Sequence, residues 1–320
     1  MLESEFSVAV VIPAYNVESY IGEAIESVLN QPLKPDEIII VNDGSTDGTR
    51  RVIEKYESNP LVSVIDKENQ GLGPARNTGL EASSSRYVYF FDSDDVMAEN
   101  FMEVIFKVVS DYESPDLIVF SGHAFFDGGQ DVGFTPLDYK RKVEACYETG
   151  PQLCRELMLN GSLFASACLY VSKRSVWLNS GLRFKPIVHE DEEVLLPLCF
   201  SVNRCCSITE VLFHRRVRAG SIMTERVTKR NVQGMVQVLT TLLCIREEKS
   251  NLVQPNIDLW RTRVQTMLLG TFAKSILSGL FFPNATMLKA FYKAFSLKLV
   301  FQVLWVYAVF SFKWIRGGKS

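Results

Sequence analysis

The chain has 320 residues, 47% of them hydrophobic and 22% charged, with a formal net charge of −3. That composition allows a sizeable core in one large α/β domain with an extension, or in two domains, and it excludes wholesale disorder. The near-neutral balance gives no broad basic field, which excludes nucleic acid as a partner.

In chain order, FSVAVVIPAYN is an apolar run ending at Pro13, the pattern of a buried strand. No signal peptide is expected before it, because Met1 to Glu5 carries two acids and no base. VESYIGEAIESVLNQ follows as a helix with Ile21, Ile25, Val28 and Leu29 on one face. DEIIIVNDGSTD is a second strand that breaks at Asp43-Gly44, a polar helix is predicted over 47–58, and LVSVID is a third strand. The loop KENQGLGPARNTG leads through a short helix into a fourth strand, YVYFF. This β-α-β-α alternation predicts a mostly parallel twisted sheet with helices on both faces, and ligands beyond the carboxyl ends of the strands. After residue 116 the pattern loosens. DLIVFSGHAFF reads as another strand, 127–150 as an irregular loop or hairpin insertion, and SVWLNSGLRFKPIVHEDEEVLLPLCF as a loop and then a helix. SITEVLFHRRVRAGSI is a strand running into a basic loop, and from 228 onward the pattern is almost wholly helical. The seven cysteines form no CxxC pair, although Cys205 and Cys206 are adjacent. They read as reduced structural thiols in a cytoplasmic protein.

Three segments place polar residues just past a buried strand: Pro13 to Asn16, Asn42 to Asp47, and Asp92 to Asp95. Each alone is ordinary cap or turn chemistry. In a parallel sheet they converge on one edge, and caps do not need so acid-rich a rim. Asp92 and Asp94, at i and i+2, project to the same side of an extended segment. Two carboxylates so placed suit a hard divalent cation, Mg²⁺ or Mn²⁺, which can neutralise a diphosphate. The rival reading has Asp94 or Asp95 capping the helix that begins near AENFMEVIFKVVS.

Taken together and in order, VVIPAYN (10–16), IIIVNDGSTDGT (38–49), NQGLGPARNTGL (69–80), FFDSDD (90–95), HEDEE (189–193) and HRRVRAGSI (214–222) make the chain resemble the family 2 glycosyltransferases, inverting enzymes with the GT-A fold. The match runs over residues 6–222. The resemblance implies a glycosyltransferase domain over 1–225, with a nucleotide-binding half at 6–115 and an acceptor half at 116–225, followed by a helical region at 226–320. It implies that Pro13, Tyr15 and Asn16 lie along the nucleotide, that Asp43 hydrogen-bonds the base, and that Arg76 assists on that side. It makes Asp92 and Asp94 the metal-binding pair, with Asp94 the direct ligand and Ser93 between them, and it makes Asp191 the catalytic base. The donor expected is a UDP-sugar, and the acceptor a glycan or lipid-linked hydroxyl.

The base assignment has its own physical reading. Four acids open a helix at Glu190 to Glu193, where the helix dipole favours negative charge and keeps a carboxylate ionised. A solvated first turn would look the same. Arg215, Arg216 and Arg218 suit phosphate contacts and form a candidate lid over a diphosphate; a basic surface turn is the alternative. The three histidines, 123, 189 and 214, have no metal-ligand spacing.

Other functions fit less well. GLGPARNTG lacks the third glycine of a dinucleotide loop, since Arg76 stands there. A haloacid-dehalogenase-like phosphatase would carry Thr where Val96 stands, and a non-catalytic nucleotide- or glycan-binding module would bind without turnover. The tail from 295 to 316 is apolar and aromatic with basic residues, too short between charges for a membrane span. It suits a helix lying in a lipid headgroup layer, and equally a core helix packed on 255–282.

Overall fold

A computed structural model describes residues 6–129, 137–218, 228–248 and 256–277. Two compact units divide the chain, Met1–Arg226 and Val227–Ser320. The first alternates strands and helices from its start: β1 (Val8–Ala14), α1 (Ile21–Leu29), β2 (Glu37–Asp43), α2 (Thr49–Glu54), β3 (Val62–Lys67), α3 (Leu72–Ala82) and β4 (Tyr87–Phe90). It continues with β5 (Val96–Met97), α4 (Phe101–Asp111), β6 (Leu117–Phe126), β7 (Ala145–Tyr147), α5 (Gly150–Leu159), β8 (Tyr170–Lys173), α6 (Arg174–Ser180), α7 (Glu190–Cys199) and β9 (Cys205–Val217).

The described strands form one sheet in the order β3-β2-β1-β4-β8-β6-β9-β5, with β7 also on β9. It is parallel from β3 through β4 and again between β6 and β9; β8 runs antiparallel to both of its neighbours. Strand β1 shows why the sheet is covered on both faces. Val8, Val10 and Ile12 pack with Ile21, Ile25 and Val28 of α1 and with Phe101 and Ile105 of α4. Ala9 and Val11 pack on the other side with Ala75 and Leu80 of α3, Trp177 of α6 and Val194 of α7. Period-two alternation on a strand buried on both sides gives an unbroken apolar run, and each such side chain contributes about 1.5–3 kcal/mol relative to exposure. The layers are therefore helix, sheet, helix.

Several elements differ from expectation. Helix α2 covers only Thr49–Glu54 of the predicted 47–58. The Asp47 carboxylate accepts from Thr49 N at 3.0 Å, which starts the helix late, and Asn59 before Pro60 is biased away from helical backbone. Helix α5, which the sequence reading did not resolve, has a capping box: the Thr149 hydroxyl accepts from Gln152 N, and the Gln152 side chain accepts from Thr149 N. The described part of 127–150 contains β7, which pairs antiparallel with β9. There Cys146 faces Cys206 with Cα atoms 4.1 Å apart, and the two are joined as a disulfide. That corrects the expectation of reduced thiols throughout; Cys154, Cys168, Cys199 and Cys205 are buried thiols outside any disulfide, and Cys244 is an exposed one.

The second unit contains helices α8 (Lys229–Glu248) and α9 (Ile257–Leu277). Val238, Leu239 and Leu242 on α8 and Trp260, Val264 and Leu268 on α9 are buried, and the Trp260 indole donates to the Leu242 carbonyl at 2.6 Å. Among the described residues no helix is long and apolar enough to cross a membrane. The tail at 295–316 lies outside the described residues.

Candidate functional site

The loops after β1 and β2 clasp each other at the carboxyl edge of the parallel strands. Asn16, at φ 51°, accepts the Thr46 N–H at 2.8 Å, and its own N–H donates to Ser45 Oγ at 3.2 Å. Thr49 Oγ1 accepts from Val17 N at 2.8 Å. Tyr15 stands out of this clasp, 49% exposed. Pro13, expected along the nucleotide, is a buried member of β1 paired with Val41. The Val11 carbonyl accepts from Phe91 N. Pro13, two residues on, faces the same side beyond the last β1–β4 pair, Val11 and Phe90, where a missing N–H breaks no ladder.

Asp43, at the end of β2, is buried, and its carboxylate accepts from Gln70 N at 3.1 Å, Gly71 N at 2.8 Å and Lys67 Nζ at 2.9 Å. In this arrangement it ties down the β3–α3 loop rather than presenting an open acceptor. Gly44 follows it at φ 72°, in the left-handed region where a side chain is strained.

The carboxylates after β4 do not lie on one side of an extended segment. The chain turns there, with Asp95 N donating to the Asp92 carbonyl at 3.3 Å, and each acid meets a different arginine contact. Asp92 accepts from Arg76 Nη2 at 2.8 Å. Asp94 accepts from Arg218 Nε at 2.9 Å. Asp95, buried, accepts the backbone N–H of Arg216 at 2.7 Å. Burial works against the Asp92 charge, but Arg76 and Arg215 outweigh it and hold that carboxyl below its ordinary value. Asp94 is raised by burial and by the Asp92 charge, despite Arg218. Asp95 is raised well above its ordinary value by burial and by both neighbouring acids. Ser93 is buried within the turn.

Arg76, expected beside the nucleoside, lies buried under these acids. Its Nη1 donates to Glu190 Oε1 at 2.6 Å, its guanidinium stacks over Phe184 at 5.3 Å, and its Nε finds no partner among the described residues. It thereby joins the turn after β4 to the start of α7. There Glu190 is committed to Arg76 and Glu193 to Lys185 Nζ at 2.6 Å. Asp191, half-buried, accepts the Glu192 N–H at 2.8 Å. Burial first, then the charges of Glu190 and Glu192, raise the Asp191 carboxyl well above its ordinary value against the pull of Arg76. The sequence argument from the helix dipole pointed the opposite way.

The three arginines of the candidate lid divide. Arg215 faces inward, donating to Tyr139 Oη at 2.9 Å; burial would lower its basicity, but Tyr139, Asp95 and Asp92 raise it. Arg216 is fixed between strands, with Nε on the Asp94 carbonyl at 2.9 Å and Nη1 on Asp127 at 2.9 Å. Arg218 alone of the three pairs its side chain with a carboxylate of the turn, Asp94. Sequence reasoning missed Tyr139 and Cys168, whose thiol is hydrogen-bonded to Asp92; neither has a signal local in sequence. Ligand atoms of Asp92, Asp95 and Cys168 lie within 4.8 Å of one another. Burial and the Asp92 charge push the Cys168 thiol well above its ordinary value. The carboxylate oxygens of Asp92, Asp94 and Asp95 are the hard donors that Mg²⁺ or Mn²⁺ takes.

Residues 9–148 match the family model described as Glycosyl transferase family 2. The glycosyltransferase GlyA of Streptococcus pneumoniae serotype 4 is 38% identical over 119 residues, 37% of this chain and 17% of that protein. The poly(ribitol-phosphate) beta-N-acetylglucosaminyltransferase TarP of Staphylococcus aureus is 30% identical over 201 residues, 61% of this chain and 58% of TarP. The chain thus spans less than two thirds of each relative's length. Among solved structures, S. aureus TarS 1-349 in complex with UDP-GlcNAc matches with a TM-score of 0.64 at 17% identity, over 90% of this chain and 88% of that one. The mannosyltransferase PcManGT from Pyrobaculum calidifontis, in complex with GDP-Man and Mn²⁺, matches with a TM-score of 0.58 at 17% identity, over 94% and 79%. At such identities the likeness establishes the fold.

Proposed function

From the family 2 glycosyltransferase match over residues 9–148 and the GT-A fold of the first unit, we propose that the protein moves a sugar from a nucleoside diphosphate donor, a UDP-sugar, to a hydroxyl acceptor in a single inverting displacement. One observation carries this reading: Arg76 bridges the three-carboxylate turn after β4 to the acid-rich start of α7, so a cation site and a candidate base share one sheet edge. Residues 6–115 supply the nucleotide side and 116–225 the acceptor side. Tyr15, exposed in the β1 loop, stacks on the base in this reading, and Asn16 holds that loop in position. Asp92 and Asp94 would hold Mg²⁺ or Mn²⁺, with Asp95 behind them; when bound, the ion offsets the charge that develops on the leaving diphosphate. Asp191 takes the proton of the attacking hydroxyl. A carboxyl raised above its ordinary value suits that role, because a strongly acidic one is a weak base. No covalent partner is required, and one displacement inverts the anomeric centre.

TarP is a beta-N-acetylglucosaminyltransferase and TarS is solved in complex with UDP-GlcNAc, which makes UDP-GlcNAc the first donor to test; the acceptor class is a glycan or lipid-linked hydroxyl, as in cell-surface polysaccharide or glycolipid assembly. The test is a thermal-shift screen of nucleotide sugars with and without Mn²⁺, followed by measurement of UDP release in the presence of glycan acceptors. Mn²⁺-dependent stabilisation by a UDP-sugar is expected. Stabilisation by none of the panel, with phosphate released from small phosphoesters, would replace this reading with that of a phosphatase.

A further inference from the structure

Arg218 meets one oxygen at two points: its Nε donates to Asp94 Oδ2 at 2.9 Å, and its Nη2 lies 2.9 Å from the same oxygen. Its guanidinium also lies over the Tyr20 ring at 4.9 Å. Two residues earlier, Arg216 is held on every side. Its backbone N–H is on Asp95, its Nε on the Asp94 carbonyl, its Nη1 on Asp127 and its Nη2 on Glu23, and its guanidinium lies between Phe125 at 4.8 Å and Tyr20 at 5.3 Å. The end of β9 is therefore pinned to the carboxylate turn by Arg216, and Arg218 is delivered to Asp94 from a fixed point. Without a counter-cation, the Asp94 carboxylate would stand in one short turn with Asp92 and Asp95 and no cation of its own.

We infer that Arg218 is the resident counter-cation of Asp94, and that a divalent cation and this guanidinium compete for the same carboxylate oxygen. The inference rests on the proposed metal-assisted reading and adds an order to it. A guanidinium fork suits a phosphate at least as well as a carboxylate. A nucleotide diphosphate entering beside Asp94 gives Arg218 an alternative partner and frees the carboxylate for the metal ion. Diphosphate and divalent cation then bind with positive coupling, part of which runs through this one side chain, and the coupling is reciprocal.

Titration of the full-length protein with Mn²⁺ alone, followed by calorimetry and by the electron paramagnetic resonance of free Mn²⁺, tests this without reference to turnover. R218Q is expected to bind Mn²⁺ about tenfold more tightly than wild type in the absence of nucleotide, within the usual range of a coupling between neighbouring sites. R218K, which keeps the charge but loses the fork, is expected between the two. UDP alone should bind R218Q more weakly, and the gain in Mn²⁺ affinity that UDP confers should shrink in R218Q. Equal Mn²⁺ affinities for wild type and R218Q, with Mn²⁺–UDP binding intact in wild type, would overturn the inference and leave the proposed function standing. R218K indistinguishable from wild type while R218Q tightens would reduce the effect to a distant field and overturn the two-point hold. Absence of Mn²⁺ binding to wild type even with UDP would overturn both readings.

Discussion

A carboxyl group that takes a proton near neutral pH must be neither strongly acidic nor locked in an ion pair, and Asp191 meets both conditions. The neighbouring cations are spent elsewhere, Lys185 on Glu193 and Arg76 on Glu190 and Asp92. Replacing Asp191 with Asn is expected to cut transfer by about 10²-fold or more while UDP affinity stays near wild type; unaltered turnover would remove Asp191 from the mechanism. Only the ionised form can act as base, so activity falls as pH drops through the raised carboxyl value. E192Q, which removes one of the charges that raise it, should move that acid limb to lower pH. Stability changes with the opposite sense. The fold disfavours ionised Asp191, so its unfavourable contribution is absent below the ordinary carboxylate value and grows as pH rises toward the raised one. D191N should therefore melt above wild type at neutral pH and equal to it in acid. The residue type and the acid-rich helix start were legible in HEDEE; the direction of the shift was not, because burial and the commitment of Arg76 to other acids arise only from tertiary packing.

At the level of elements, β1 to β4 could be read from sequence because buried parallel strands are continuous apolar runs, and their terminal loops marked the site. What the sequence could not supply was the conformation between Asp92 and Asp95. An extended chain puts Asp92 and Asp94 on one side, whereas the observed turn hands Asp92 to Arg76 and Asp94 to Arg218. Nor could it show β9 carrying Arg215 and Arg216 past the acids, with Arg218 just beyond its end. Helix α3, which bears Arg76, depends on a close approach to β1: a Cβ on Gly79 would sit 2.2 Å from Val11 Cγ1. Gly to Ala in an exposed helix would gain up to about 1 kcal/mol. Here overpacking should win, so G79A is expected to destabilise by about 1–3 kcal/mol in urea unfolding. The β7–β9 tether has a direct readout. Denatured, unreduced protein should titrate five thiols, the cysteines outside the disulfide, and reduced protein should titrate all seven; seven before reduction would mean that Cys146 and Cys206 are not bonded.

At the scale of the whole molecule, the proposed chemistry occupies the first unit, and the second poses a separate question of where the protein works. Its sequence ends in an apolar run from Leu299 to Phe312, 14 residues interrupted by Gln302, with Trp305, Tyr307 and Trp314 beside Lys298, Lys313 and Arg316. Aromatic rings at a lipid interface and basic side chains toward anionic headgroups are additive attractions, and the second is screened by salt. A transferase serving a lipid-linked acceptor gains from such attachment, because surface confinement raises the local acceptor concentration without any new contact in the site. The expected result is that full-length protein floats with vesicles containing anionic lipid at low salt, less so at high salt, and that a chain ending after Asn284 stays at the bottom of the gradient. Equal distribution of the two would assign residues 295–316 to packing within the protein rather than to a membrane.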